Sequence, residues 1–187
     1  MNTLVIFSGL PGTGKSTLAN RLARELRWPL LRIDDVVGDV PENAGMDFWD
    51  SQIVILLGLA EAQLELGVSV IVDSVFMNTD RYHAQAIARE QDARFRPIHT
   101  FISDERMWEE RVTQRVIELN NPAVSIWEQI QHQREHFRQW GPDTALFVDA
   151  VKPVEQNYAK VLQFAVNEEV AIQPLENVPW TKGKYHG

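Results

Sequence analysis

An octapeptide, Gly9-Leu10-Pro11-Gly12-Thr13-Gly14-Lys15-Ser16, joins two stretches of different periodicity and constrains the fold more than any other feature of the chain. Before it, Thr3 to Ser8 is a short apolar run without alternation, the pattern of a strand buried on both faces of a parallel sheet. After it, Leu18, Leu22 and Leu26 recur every four residues, as on one face of a helix that begins at Lys15. Strand, glycine turn and helix are the context in which G-x-x-x-x-G-K-[ST] cradles phosphates. Its glycines permit positive φ, so that backbone N–H groups converge on an anion at the helix N-terminus. The expected nucleotide-binding set is Gly9, Pro11, Gly12, Thr13, Gly14, Lys15, Ser16 and Thr17. Lys15 can reach the β- and γ-phosphates and the Ser16 hydroxyl can ligate magnesium, which makes ATP and Mg²⁺ the expected cofactors.

The rest of the chain alternates strands with helices. Short strands are expected at Leu30 to Ile33, Val68 to Val72, Phe95 to Ile102 (interrupted by Pro97) and Ala145 to Val148. Helices are expected over Phe48 to Leu66, Thr79 to Gln91, Met107 to Leu119, Ser125 to Gln139 and Val154 to Val166. Gly67 is placed to stop the first of these, Asn78 or Thr79 to cap the second, Asp104 to cap the third, and Pro153 to open the last. This pattern predicts an α/β fold with a doubly wound parallel sheet. One domain is expected over residues 1–170, with a helical lid at about 107–140. Residues 171–187, rich in Pro and Gly, are expected to form a surface arm or flexible tail.

The 187 residues contain no cysteine, which excludes disulfides, thiolate metal sites and cysteine nucleophiles. Catalysis must rest on carboxylates, a lysine and arginines. The net charge of −8 gives no long-range attraction to nucleic acid or to anionic membranes. The apolar run Ile53 to Ala60 is far short of the roughly 20 residues a membrane span needs, and Met1 to Ser8 lacks the pattern of a targeting segment. A cytoplasmic location is the resulting expectation.

Three carboxylates fall at the C-terminal ends of strands, the edge where open α/β sheets bind ligands. Asp34 and Asp35 follow the second strand and can act as a base toward an acceptor hydroxyl or as magnesium ligands. Asp73 follows the third and is the expected metal partner of Ser16. Arg111 and Arg115, at i and i+4, lie on one face of a lid helix and can carry positive charge to transferring phosphates. Arg81 is a further candidate for substrate contact. His132 and His136 share the i, i+4 spacing, but no glutamate sits between them as H-E-x-x-H requires, so a solvated helix face is expected.

The segments GLPGTGKST (Gly9 to Thr17), RIDD (Arg32 to Asp35), IVDS (Ile71 to Ser74) and WEERVTQR (Trp108 to Arg115) resemble the small P-loop kinases grouped around the polynucleotide kinase domain, relatives of zeta toxins and antibiotic phosphotransferases. The resemblance runs from about Met1 to Phe164. It implies a three-layer P-loop NTPase fold whose five strands are ordered 2-3-1-4-5. It also implies Asp34 as general base with Asp35 beside it, Asp73 as the acidic residue after the third strand, and Arg111 and Arg115 as lid arginines. Polynucleotide kinases carry an arginine soon after the Asp-Asp pair, where this chain has Val36-Val37-Gly38-Asp39. With the acidic charge, that departure turns the expectation from a nucleic-acid end toward a small molecule. The expected activity is ATP- and Mg²⁺-dependent transfer of a phosphoryl group to the hydroxyl of a small acceptor. The alternatives are a 5′-hydroxyl polynucleotide kinase and an ATP-binding regulatory or NTPase module.

Overall fold

A computed structural model describes residues 1–37, 48–77, 79–119, 126–138 and 140–175. Strands β1 (Thr3–Ser8), β2 (Leu30–Arg32), β3 (Val70–Asp73), β4 (Arg94–Phe101) and β5 (Leu146–Asp149) form one parallel sheet in the order β2-β3-β1-β4-β5. Helices α1 (Lys15–Leu26), α2 (Ile33–Val37), α3 (Phe48–Glu65), α4 (Asp80–Glu90), α5 (Glu105–Leu119), α6 (Trp127–His136) and α7 (Val154–Val166) are the helices among the described residues.

The unbroken apolar run of β1 follows from its central place. Leu4 and Ile6 point into a cluster with Leu56 and Leu57 of α3 and Ile87 of α4. Val5 and Phe7 point the other way, into a cluster with Leu18 and Leu22 of α1 and Val161 and Phe164 of α7. Both faces are covered, so both halves of the strand's alternation must be apolar. Each such side chain contributes about 1.5–3 kcal/mol of burial. The sheet with helices on either side makes the three layers.

Several boundaries differ from those read in the sequence. β2 ends at Arg32, and Ile33 opens the short helix α2, so Asp34 and Asp35 lie in the first turn of a helix rather than in a loop. Carboxylates there are favoured by the positive end of the helix dipole. β3 begins two residues later than expected and takes in Asp73, whose backbone pairs beside Phe7 on one side and Arg32 on the other. Gly67, at φ +82°, ends the turn after α3. β4 runs unbroken through Pro97, which pairs with Ile6, because β5 joins β4 only from Ile98 onward and the missing N–H falls where β1 is the sole neighbour. Thr79 precedes α4 without a side-chain capping bond, whereas Asp104 accepts from the Met107 N–H at 3.0 Å and caps α5. α6 is shorter than expected, and Ser125, Gln139 and Asn78 lie outside the described residues.

The strands' C-terminal edge carries the glycine-rich loop, and α5 and α6 fold over it. Trp108, Val112 and Ile130 from these helices bury themselves with Leu10 of the loop and Ile102. At the other end of the chain, Leu175 is buried in the first cluster, and its N–H donates to Gln85 Oε1 at 2.7 Å. No helix among the described residues is long and apolar enough to cross a membrane.

Candidate active site

The loop after β1 is shaped by contacts that leave no room for side chains at two of its glycines. Gly9 has φ +140°, and a Cβ there would lie 2.3 Å from the Thr100 carbonyl oxygen. Gly12 has φ +83°, and a Cβ there would lie 2.9 Å from Val112 Cγ2 and 3.2 Å from the Trp108 indole nitrogen. The loop is therefore pressed against β4 on one side and against the lid helix α5 on the other. Thr13, buried, donates to or accepts from Thr100 at 2.8 Å and reaches the Leu10 carbonyl at 2.7 Å. Trp108 donates its indole N–H to the Pro11 carbonyl at 2.8 Å.

Four charged groups meet at the loop. Lys15, half-buried, donates to the Leu10 carbonyl at 3.1 Å. Burial lowers its pKa and the Arg115 guanidinium lowers it further, while Asp73 and Asp34 oppose both. Asp73 is 4% exposed. Burial raises its pKa and the charge of Asp34 adds to this, against the pull of Lys15, a hydrogen bond from Ser16 and the nearby Arg32. The structure thus brings Lys15, Ser16, Asp73, Asp34 and Arg115 into one electrostatic cluster, drawn from four separate elements. A buried carboxylate joined to a hydroxyl is a hard oxygen pair, poorly compensated by the protein alone. It suits a hard divalent cation such as magnesium.

The remaining candidates are placed differently. Asp35 is gripped by Arg32, with Nη2 at 2.6 Å and Nε at 2.7 Å from its Oδ2. Asp34, exposed on the same turn, is the carboxylate whose charge reaches both Lys15 and Asp73. Arg111 donates to the Ala150 carbonyl at 3.1 Å and so ties α5 to the segment after β5. Their acidic neighbours on the helix are engaged elsewhere, Glu110 by Arg106 and Glu118 by Gln114. Arg81 is buried. Its Nε donates to the Phe76 carbonyl at 3.3 Å, Nη2 donates to the Arg138 carbonyl, and the guanidinium stacks over Phe137 and Trp140. Burial lowers its pKa to about 10, which leaves it charged. Phe76, whose carbonyl it holds, sits at φ +53°, an unfavourable backbone for a side chain of that size. Arg81 therefore stands apart from the Lys15 cluster and braces the turn after Asp73. His132 and His136 are exposed on α6, as expected.

A family model described as an AAA domain matches residues 4–140, from within β1 to just beyond α6. The chain belongs to that family. No curated protein matches it significantly. Among solved structures, this AAA domain is similar to a gluconokinase from Sinorhizobium meliloti (19% identity, 88% of this chain and 91% of the other, TM-score 0.64). It is also similar to the APS kinase of Mycobacterium tuberculosis in complex with AMPPNP and APS (19%, 87% and 96%, 0.66). A third likeness is to Kti12 of Chaetomium thermophilum in complex with ADP-AlF3 (16%, 87% and 98%, 0.66). At these identities the likeness is one of fold, and it is the P-loop kinase fold that the sequence motifs resemble.

Two residues of the AAA domain belong to the site although the sequence did not single them out. One is Trp108, the latch between lid and loop. A tryptophan on a helix rich in charged residues must bury its ring and satisfy its N–H, which was the available signal. The other is His99, 7% exposed on β4 beside Ser8 and stacked on Phe137 at 5.5 Å, with Nδ1 lacking a hydrogen-bond partner. Burial lowers its pKa to about 4, helped by the charges of Arg81 and Lys15. Because the folded value lies below the ordinary 6.5, the unfolded chain takes up the proton first. Stability is then lost as pH falls from about 6.5 to about 4, by about 3 kcal/mol in total. Thermal unfolding of His99→Phe between pH 7 and pH 4 is expected to lose less stability than the parent, and an identical decline would contradict this.

Proposed function

We propose that this protein is a phosphotransferase that moves the γ-phosphoryl group of ATP to a hydroxyl of a small molecule. The observation that supports it best is the shared field at Lys15, where a buried carboxylate, an exposed carboxylate and a lid arginine all act on the phosphate-loop lysine. Nucleotide binding alone needs only the loop. The exposed Asp34 and the lid arginine are what group transfer adds. The fold's likeness to a gluconokinase and an APS kinase supports the same class.

In this reading the amides of the loop and Lys15 hold the phosphate oxygens. Asp34 orients the acceptor hydroxyl and takes its proton as the acceptor oxygen bonds to the γ-phosphorus. The bond from the γ-phosphorus to the β–γ bridging oxygen breaks, and ADP leaves. Arg115 offsets charge spreading over the transferred group, and Arg111 holds α5 in place through Ala150. Ser16 and Asp73 would hold Mg²⁺, which when bound neutralises charge on the phosphate oxygens. Trp108 and Val112 keep the lid against Gly12 and exclude water, whose attack would waste the nucleotide. Arg32 fixes Asp35, leaving Asp34 as the base.

The −8 charge supports a small acceptor over nucleic acid. The test is transfer from γ-labelled ATP to sugars, nucleosides, aminoglycosides and 5′-hydroxyl oligonucleotides. Label on a small hydroxylated acceptor is expected. Label only on oligonucleotides, or ATP bound without transfer to any acceptor class, would overturn the reading.

A further inference from the structure

The edge of the sheet opposite the glycine loop contains a second feature that phosphoryl transfer does not use. A cavity of about 630 Å³ opens there, between the end of α4, the start of β4 and residues 168–174 that follow α7. It is separated from the loop by the length of β1, about 17 Å. Its wall carries three guanidinium groups, Arg89, Arg94 and Arg96, against one carboxylate, Glu168. Phe95, Val170 and Ile172 supply apolar wall between them.

These arginines are not a solvated surface cluster. Arg96 is 4% exposed, in the stretch of β4 that pairs with β1 alone. It gives Nη2 to the Asn167 carbonyl at 2.9 Å and lies over the Phe164 ring, yet its Nε has no hydrogen-bond partner. Arg94, two residues away and so on the same face of β4, has both Nε and Nη1 buried without a hydrogen bond. Glu168 Oε1 lies 3.2 Å from that Nη1, close enough for charge attraction but outside hydrogen-bonding geometry, and Glu168 itself is mostly in water. Burial and the charge of Arg94 both lower the pKa of Arg96, the sign of two like charges held together without enough counter-charge. Arg89, exposed at the end of α4, adds a third cation at the rim. Buried guanidinium donors left unpaired are costly, and planar donors of this kind suit the oxygens of carboxylates and phosphates.

We propose that this cavity binds a small organic anion, with its carboxylate or phosphate oxygens on Arg94 and Arg96 and its apolar body against Val170 and Ile172. Arg89 draws the anion in, and Glu168 competes with it for Arg94. The site is separate from the nucleotide loop and does not depend on the phosphotransferase reading.

The test is isothermal titration with citrate, and in a second arm with glycerol 3-phosphate, on the full chain. Lys15→Met controls for binding at the glycine loop. Saturable binding is expected that is unchanged in Lys15→Met, weakened about tenfold in Arg94→Gln and several-fold in Arg89→Gln, and tightened in Glu168→Gln. Arg89 and Glu168 are exposed, so those two variants keep the fold even if Arg94→Gln does not. No saturable binding of either probe would overturn the proposal. So would binding that disappears in Lys15→Met while ignoring Arg89→Gln and Glu168→Gln.

Discussion

Asp73→Asn is expected to make the nucleotide-free protein more stable at neutral pH while lowering phosphoryl transfer by about 10²-fold or more. The carboxylate is 4% exposed, and burial is the largest cause of its raised pKa, ahead of the opposing pull of Lys15. A folded pKa above the ordinary value means that the ionised form is disfavoured by folding. The stability present while Asp73 is protonated is lost as pH rises through that raised value. Asparagine keeps the shape and can still accept from Ser16, but it carries no charge to desolvate and none with which to bind a cation. A rise in Tm of a few degrees at pH 7, shrinking in acid where Asp73 is itself neutral, is the expected result of thermal unfolding. A fall in Tm at pH 7 would mean that the attraction between Asp73 and Lys15 outweighs burial.

Asp34→Asn has the larger expected effect on rate and almost none on fold. Asp34 is exposed on the first turn of α2, so the substitution disturbs no packing. Loss of a positioned base costs about 10²–10⁴-fold in the transfer step. Asp35→Asn is the informative partner. Its carboxylate is taken up by Arg32 at 2.6 Å, so its loss frees an arginine near Asp73 and is expected to reduce transfer far less.

The parts of this fold that were legible in the sequence are those decided locally. β1, the glycine loop and α1 follow one another within 26 residues, and each has its own pattern of apolar residues or glycines. The carboxylates at the strand ends were legible for the same reason, since a strand followed by Asp places that Asp at the ligand edge. What the sequence left open turns on contacts that periodicity does not report. Asp35 is held by Arg32, three residues earlier, because Ile33 leaves the strand and begins a helix, and this supports Asp34 as the proposed base. Arg81 is a candidate for substrate contact in the sequence. Its guanidinium turns inward instead, to backbone carbonyls and to aromatic rings contributed from 56 and 59 residues away, Phe137 and Trp140. Trp108 has a hydrogen-bond partner that lies 97 residues earlier, the Pro11 carbonyl. Periodicity reports which face of an element is buried, but not which distant polar atom the buried side chain will meet.

The base role of Asp34 is tested most directly by pairing two measurements on Asp34→Asn: its affinity for ATP with Mg²⁺, and its single-turnover transfer of labelled γ-phosphate to the small acceptor that the screen identifies. ATP affinity within about threefold of the parent and transfer reduced by about 10³-fold is the predicted result. Transfer at the parent's rate, or a loss no greater than the loss of ATP affinity, would contradict it.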